Sequence, residues 1–147
     1  MKHLIICREF PPAPGGGIGT YAANMSRLLA EHGETVHVIS QRCEEAERAC
    51  EEMCEGRLIV HRVAFDDWTA LLGPKPHPAL PQGIESRLFR SNFHPQSFAW
   101  SAAILAERLV LEEGVDIIEA QEYEAPLYYF QLRRALGLGP SRQPPVV

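Results

Sequence analysis

The sequence predicts an α/β fold of the Rossmann-like, doubly wound type, in which a mostly parallel sheet carries helices on both faces. Short apolar runs of strand length alternate with amphipathic segments of helix length along the chain. The first run, residues 3–7, is continuously apolar from Leu4 onward, as expected for a strand buried on both faces. The 147 residues are enough for one domain with a real core.

The elements of the first half follow in order. After the first strand, a Pro/Gly-rich loop leads into a helix whose apolar residues recur three and four apart, and Gly33 is placed to end it. A second strand is predicted over Thr35–Ser40, an acidic helix over Glu44–Glu55 and a third strand over Leu58–Ala64. This alternation of strands and helices predicts parallel pairing through right-handed crossovers.

The second half begins with an irregular segment, residues 66–92, which is rich in proline and is interpreted as either a functional loop or a disordered insertion. A helix that ends at Gly114 and a fourth strand over Val115–Ala120 follow. A last helix is predicted to start at Pro126 and to cover Leu127–Leu136. The final two valines predict the start of another strand. The domain, residues 1–147, is therefore expected to be incomplete at its C-terminal end, with an unprotected strand edge that favours self-association.

Charge and composition disfavour some functions. The net charge of −5 and the pI of about 5.7 argue against a nucleic-acid-binding surface, and Arg133 and Arg134 are the only adjacent basic pair. No apolar run approaches the roughly 18 residues of a membrane span. The N-terminus lacks the long apolar core of a signal peptide. The sequence therefore predicts a cytoplasmic protein with no transmembrane segment.

Cysteine and histidine positions do not predict a metal site. Cys43, Cys50 and Cys54 would share one face of the predicted acidic helix, but they lack the Cys-x-x-Cys spacing of zinc sites. Packing is the expected role of these thiols, and a metal or redox role stays open. His37 and His61 fall within predicted strands, where a structural role is expected.

The glycine-rich loop over residues 15–20 is the first candidate site. Glycine lets the backbone approach a ligand closely, and the N–H groups and dipole of the following helix favour a phosphate. The loop has no P-loop lysine, and Thr20 stands where the dinucleotide fingerprint needs its third glycine. The second strand also ends at Ser40 and Gln41, without the carboxylate that would bind a ribose. A nicotinamide-dependent oxidoreductase is therefore disfavoured, and a plain turn remains the alternative.

The second candidate site follows the fourth strand, because ligands of doubly wound sheets bind outside the carboxyl ends of the strands. Gln121 can orient a sugar hydroxyl, but it cannot titrate as a base. Glu122 can bind a hydroxyl or stabilise positive charge at an anomeric carbon, or it can simply favour the N-terminus of the next helix. A structural role is therefore an open alternative for both residues.

Four segments together resemble the N-terminal domain of family 4 retaining glycosyltransferases with the GT-B fold. They are Arg8–Pro12, the loop Gly15–Tyr21 with the helix after it, Gly33–Ser40, and Asp116–Tyr123. The resemblance covers nearly the whole chain except residues 66–92. It implies two Rossmann-like domains that face each other across a cleft. The N-terminal domain would bind the acceptor, and a C-terminal domain, which this sequence lacks, would supply most nucleotide contacts.

The resemblance also implies a site and an activity. The donor is a nucleoside diphosphate sugar, no cofactor or metal is needed, and a hexosyl group is transferred to an acceptor that the sequence does not identify. Gln121 stands where many family members carry a histidine. The residues implied at the substrates are Gln121 and Glu122 in catalysis and Gly16, Gly17, Ile18 and Tyr123 in binding.

Two functions remain open for the chain itself. In the first, it is the N-terminal half of an active glycosyltransferase and is inactive without a C-terminal donor-binding domain. In the second, it is a truncated or split non-catalytic module that binds an acceptor or a partner chain.

Overall fold

The computed structural model describes residues 1–46, 48–63 and 94–147. The predicted irregular segment, residues 66–92, lies outside the described residues. The elements in chain order are β1 (Lys2–Ile6), α1 (Gly17–Glu31), β2 (Thr35–Gln41), β3 (Cys50–Met53), β4 (Leu58–Val63), α2 (His94–Glu112), β5 (Ile117–Ala120) and α3 (Tyr128–Ala135).

Five strands form one sheet in the order β3-β4-β2-β1-β5. The pairs β4–β2, β2–β1 and β1–β5 are parallel, and β3 is antiparallel to β4. The final valines extend the sheet as predicted, because Val146 pairs in parallel with Ile118 and the Val147 N–H donates to the Ile118 carbonyl at 2.9 Å. The last residues thus form a single bridge beside β5 rather than a sixth strand. Self-association through these residues stays a prediction.

Alternating residues of β1 show why both faces of the sheet are covered. Leu4 and Ile6 belong to a core that includes buried residues of α2 and α3, such as Phe98 and Phe130. Ile5 faces the other way, into a core that contains residues of α1. Side chains alternate across a strand, so a continuously apolar β1 fits between two helical layers. The doubly wound, mostly parallel fold is confirmed.

The predicted helix over Glu44–Glu55 is wrong. Residues 50–53 form β3, which runs antiparallel to β4 and joins it through a turn. Cys54 and Glu55 adopt φ angles of 52° and 56° in that turn, which no continuing helix permits. The strands β2 and β4 are still parallel, although a β-strand rather than a helix lies between them.

Tertiary contacts favour the strand over the local helix propensity. β3 covers the edge of β4, which would otherwise present unpaired backbone groups. Glu51 also accepts a hydrogen bond from the buried Arg62 at 3.0 Å. The predicted cysteine face therefore does not exist: Cys50 is exposed, whereas Cys43 and Cys54 are half-buried. All three thiols are free.

The last helix starts later than predicted. Pro126 precedes α3, and Leu127 is its N-cap, so the proline is not the first helical residue. The loop before the helix has two positive φ angles, 63° at Glu124 and 48° at Ala125. Helical geometry cannot begin until the chain leaves this left-handed segment.

His37 and His61 form a stacked pair within the sheet. The Nδ1 of His37 lies 3.1 Å from the Nε2 of His61, and the ring centroids are 5.4 Å apart. Burial lowers the pKa of both imidazoles, that of His61 to about 4. The pair is therefore neutral at ordinary pH, which suits a structural role.

Residues 1–46, 48–63 and 94–147 show neither a membrane-spanning helix nor a cluster of metal-binding side chains. No helix in these ranges is both long and apolar enough to cross a membrane. They also contain no group of three or more histidine, cysteine or acidic side chains that could hold a metal ion.

Candidate functional site

The two candidate segments meet at the carboxyl edge of the sheet. β1 and β5 are neighbours, and Ile6 lies opposite Ala120 at the ends of the two strands. The glycine loop and the loop over residues 121–127 therefore emerge side by side. Between them lies a narrow cleft of about 20 Å³, which is room for a single water molecule. Its lining comes from both loops and from α2: Ile6, Cys7, Arg8, Glu9, Ile18, Pro95, Phe98, Gln121, Tyr123, Glu124 and Pro126.

The structure brings some of the predicted site residues to this cleft. Ile18, Gln121 and Tyr123 line it, and Tyr123 is 64% exposed. Gly16 and Gly17 are exposed at the start of α1, directly before Ile18. These five residues lie at one edge of the sheet, as the sequence predicts.

Glu122 lies elsewhere. It lines an open, largely apolar groove of about 560 Å³ beside α3, together with Leu127, Leu132 and Val147. The groove adjoins the cleft, since Gln121 and Pro126 line both. The carboxylate of this loop that lines the cleft is Glu124, two residues further on.

The glycines of the loop have two different roles. A Cβ at Gly15 or at Gly19 would come closer than 3.0 Å to Glu9, and at Gly19 the clash is with the Glu9 carbonyl oxygen. Gly15 and Gly19 are thus required for packing. A Cβ at Gly16 or at Gly17 would meet nothing within 4 Å apart from adjacent residues and nearby backbone of α1. The packing around these two residues therefore gives no reason for glycine, and open space lies in front of both.

Arg62 of β4 holds the segment between β1 and the glycine loop. Its side chain is fully buried, and it donates to the carbonyls of Phe10 at 2.8 Å and Pro11 at 2.5 Å. It also donates to the Ser40 hydroxyl at 3.2 Å and pairs with Glu51 at 3.0 Å. A guanidinium has five donors in a rigid fork, so one side chain can hold several acceptors in place.

The N-terminus of α1 has a carboxylate beside it. The N-cap Gly16 has no side chain that could accept from the N–H groups of the first turn. Glu9 accepts a hydrogen bond from the Gly16 N–H at 3.1 Å. The positive end of the helix dipole favours such an anion. A phosphate that approaches this helix end would compete with Glu9 for the same N–H group.

Arg8 connects three strand ends across the cleft. Its Nε–H and one Nη–H donate to the two carboxylate oxygens of Glu124, with a distance of 2.9 Å between Nη2 and Oε1. The other Nη donates to Gln41 at the end of β2 at 3.2 Å. Glu9 lies 3.4 Å from Nη2. Bidentate arginine–carboxylate pairs are among the stronger and more directional ionic contacts.

Two further groups near the cleft have shifted pKa values. Burial raises the pKa of the Cys7 thiol to about 11, so Cys7 stays protonated and packs as an apolar side chain, as expected from its position. Tyr21 of α1 donates its phenol O–H to Glu119 of β5 at 2.9 Å, and this bond raises the pKa of Tyr21. The contact ties α1 to β5 on one face of the sheet.

The arrangement offers different chemistry on the two sides of the cleft. The α1 side presents backbone N–H donors and a helix dipole, which suit an anion such as phosphate. The β5 side presents the amide of Gln121 and the phenol of Tyr123, which can bind hydroxyl groups.

Sequence reasoning missed Arg8, Glu124 and Arg62 as individual residues of this region. A signal existed for Arg8, since it directly follows a buried strand. None existed for the pairing of Arg8 with Glu124, which are 116 residues apart. Nothing in the sequence of the third predicted strand distinguishes Arg62, and only its buried contacts in the structure show its role.

Comparisons with known proteins give a similarity in fold. No protein-family model matches the chain, and no curated protein matches it significantly. Among solved structures, the chain is similar to sucrose-phosphate synthase from Thermosynechococcus elongatus, with a TM-score of 0.55 and 16% sequence identity. The similarity covers 90% of this chain and 30% of that chain. At this identity the likeness concerns the fold, so the chain has a Rossmann-like α/β fold similar to part of a glycosyltransferase.

Proposed function

We propose that this chain is the N-terminal, acceptor-side domain of a retaining glycosyltransferase of family 4, which transfers a hexose from a nucleoside diphosphate sugar. One observation carries the proposal. Gly16 and Gly17, which face open space at the N-terminus of α1, lie beside the same cleft as Gln121 and Tyr123. The fold similarity to a glycosyltransferase agrees with it.

In the proposed site, the donor diphosphate binds the backbone N–H groups of Gly16, Gly17 and Ile18. Phosphate oxygens accept well from such groups, and the helix dipole adds favourable potential. Glu9 then releases the Gly16 N–H and turns away. Gln121 and Tyr123 bind hydroxyl groups of the acceptor on the opposite side.

The proposed role of Glu122 in catalysis needs a rearrangement, because its side chain lines the groove beside α3 rather than the cleft. Glu124 is the better placed carboxylate, although Arg8 holds both of its oxygens. We therefore assign Gln121 and Tyr123 to the acceptor side and keep Glu122 as a prediction.

The narrow cleft supports a division of the whole site between two domains. A volume of about 20 Å³ is far smaller than the several hundred Å³ of a typical ligand pocket. In the proposed enzyme, a second Rossmann-like domain supplies the remaining walls and most nucleotide contacts. Transfer by this chain alone is therefore not expected, and a cytoplasmic location stays a prediction.

A titration followed by two-dimensional NMR tests the proposed donor site, because it detects weak binding residue by residue. UDP, GDP and ADP are added in turn to the ¹⁵N-labelled chain. We expect the amides of Gly16, Gly17 and Ile18 to shift with at least one of them. Inorganic sulfate at matched ionic strength is the control for unspecific anion binding. Shifts confined to other parts of the chain would contradict the assignment.

The alternative, a non-catalytic binding module, is favoured by the apolar groove beside α3. Exposed apolar side chains there include Tyr128, Leu132 and Val147. Contiguous apolar surface of this kind is typical of contacts with other protein surfaces. Glycosyl transfer by the purified chain, measured with radiolabelled nucleotide sugars, would exclude this alternative.

A further inference from the structure

We infer that Arg8 is a positioning residue, which holds the loop over residues 121–127 in a strained conformation and thereby keeps Gln121 and Tyr123 on the cleft. The inference deepens the proposed function, on which the role of these two side chains rests. The strain and the ion pair are observed independently of that function. Residues 121–127 form the cleft loop.

The strain lies in two consecutive residues of the cleft loop. Glu124 and Ala125 have φ angles of 63° and 48°, in the left-handed region that non-glycine residues rarely adopt. Neither residue belongs to a helix or strand. The Ala125 N–H donates to the Glu122 carbonyl at 3.0 Å, which closes a single turn around Tyr123 and Glu124. Strained backbone persists where surrounding contacts determine it, and it clusters at ligand sites.

Arg8 adds a long-range contact to this turn, from the end of β1. Its guanidinium binds both oxygens of Glu124, one of the two strained residues. The two side chains are only 23% and 17% exposed, so solvent screens the pair weakly. Gln41 binds the same guanidinium from the end of β2, which fixes the orientation of Arg8 itself.

The Arg8–Glu124 ion pair lies next to the residues that it is inferred to position. Gln121 and Tyr123 precede the strained residues, and Pro126 follows them as a buried member of the cleft lining. If Glu124 leaves Arg8, the two left-handed residues relax toward common conformations. A change of φ at either residue redirects the backbone on both sides of it, so Gln121 and Tyr123 leave the cleft.

Hydrogen exchange measured by NMR or mass spectrometry tests the inference without a ligand. In Arg8→Met, we expect amides of the cleft loop to exchange about tenfold faster or more, because the contact that offsets the strain is lost. Amides of β2 should keep their protection. Arg108→Met is the matched control, since Arg108 makes an exposed ion pair with Glu112 at 3.8 Å. Unchanged exchange of the cleft loop in Arg8→Met overturns the inference.

A rescue variant separates positioning from a general structural role. Ala125→Gly relieves the backbone strain at one of the two residues and leaves the side chains of the ion pair in place, because glycine adopts positive φ angles readily. We expect Arg8→Met with Ala125→Gly to recover part of the protection that Arg8→Met loses. Arg8→Lys should recover little, because an ammonium cannot bind both carboxylate oxygens as a fork does. A failure of Ala125→Gly to restore any protection overturns the inference.

Two measurements cover the case in which Arg8→Met does not fold. Glu124→Gln removes the charge and keeps the shape of the side chain, and we expect it to loosen the same loop to a smaller degree. The second uses 3-fluorotyrosine labelling, with the Tyr123 signal assigned by Tyr123→Phe. The ¹⁹F signal of Tyr123 should move from its wild-type position in Glu124→Gln and stay in place in Arg108→Met. An unmoved signal together with unchanged exchange overturns the inference. The nucleotide titration tests the proposed function separately, since it reports on Gly16–Ile18.

Discussion

Replacing Gly19 with alanine would place a methyl group against the backbone of the loop that precedes α1, whereas the same change at Gly17 would place it in open space. A Cβ at Gly19 would approach the Glu9 carbonyl oxygen to well under 3.0 Å, and real Cβ atoms essentially never come so close. The Glu9 carbonyl cannot move freely, because Arg62 holds the neighbouring carbonyls of Phe10 and Pro11.

The expected magnitudes follow from these contacts. Forcing a methyl group into a tightly packed place costs about 1–3 kcal/mol or more, and the better helix propensity of alanine returns up to about 1 kcal/mol. We expect Gly19→Ala to lower the free energy of unfolding by about 2 kcal/mol. For a chain of this length, that loss corresponds to a decrease in Tm of roughly 4–8 °C. Gly17→Ala should leave Tm unchanged or raise it by about 2 °C, because it lies in the first turn of α1 and meets nothing within 4 Å apart from adjacent residues and nearby backbone of α1.

Thermal unfolding followed by circular dichroism measures the two effects, and the NMR titration with nucleoside diphosphates measures binding. Gly17→Ala should fold normally and lose the amide shifts at the start of α1, since the methyl group occupies the space proposed for the phosphate. If Gly19→Ala melts with the wild-type chain, the packing argument is refuted. If Gly17→Ala keeps full binding, the close approach of a ligand to this glycine is refuted.

Three further outcomes are expected from buried polar groups. The pKa of His61 is about 4 in the folded chain and ordinarily 6.5, so between these pH values the unfolded chain binds a proton that the folded chain does not. The free energy of unfolding should therefore fall by on the order of 2 kcal/mol as the pH drops from 6.5 to 4. In thermal melts, the Tm of His61→Gln should depend less on pH. Arg62→Met should cost about 3 kcal/mol or more in a urea titration, because the carbonyls of Phe10 and Pro11 lose their donor. Arg62→Lys should recover only part of that loss, and full recovery would contradict the multiple-acceptor argument. Arg133 of α3 donates two hydrogen bonds, of 2.7 and 3.0 Å, to Glu107 of α2. Arg133→Leu alone should destabilise the chain by about 3 kcal/mol, because it leaves the Glu107 carboxylate unpaired, and adding Glu107→Leu should restore much of that loss. Additive losses in the double variant would refute this coupling.

The segments that sequence reasoning predicted well are those in which local pattern and tertiary environment agree. β1 is continuously apolar, and a parallel strand buried on both faces requires such a run. In α1 and α2 the apolar spacing coincides with the face that packs on the sheet. Gly33 and Gly114 end their helices at positive φ angles, 90° and 69°, that other residues rarely adopt.

The segment 44–55 shows where the same reasoning fails. Its glutamates and alanines favour a helix locally, but the contacts of β3 with β4 and of Glu51 with Arg62 are made with residues later in the chain. Such pairings leave no mark on the short-range periodicity from which secondary structure is predicted. The hairpin could not be inferred from the segment alone.

The candidate site divides in the same way. Strand patterning and glycine spacing are local properties, so the Rossmann-like class and the two loops at the carboxyl edge of the sheet could be predicted from the sequence. Which residues line the cleft depends on the folded chain. Folding places Glu122 at the groove beside α3 and pairs Glu124 with Arg8 across 116 residues of chain. It also separates the glycines needed for packing from those that face open space. These assignments depend on φ angles and on contacts between strands distant in sequence. Both are established only when the strands come together in the sheet.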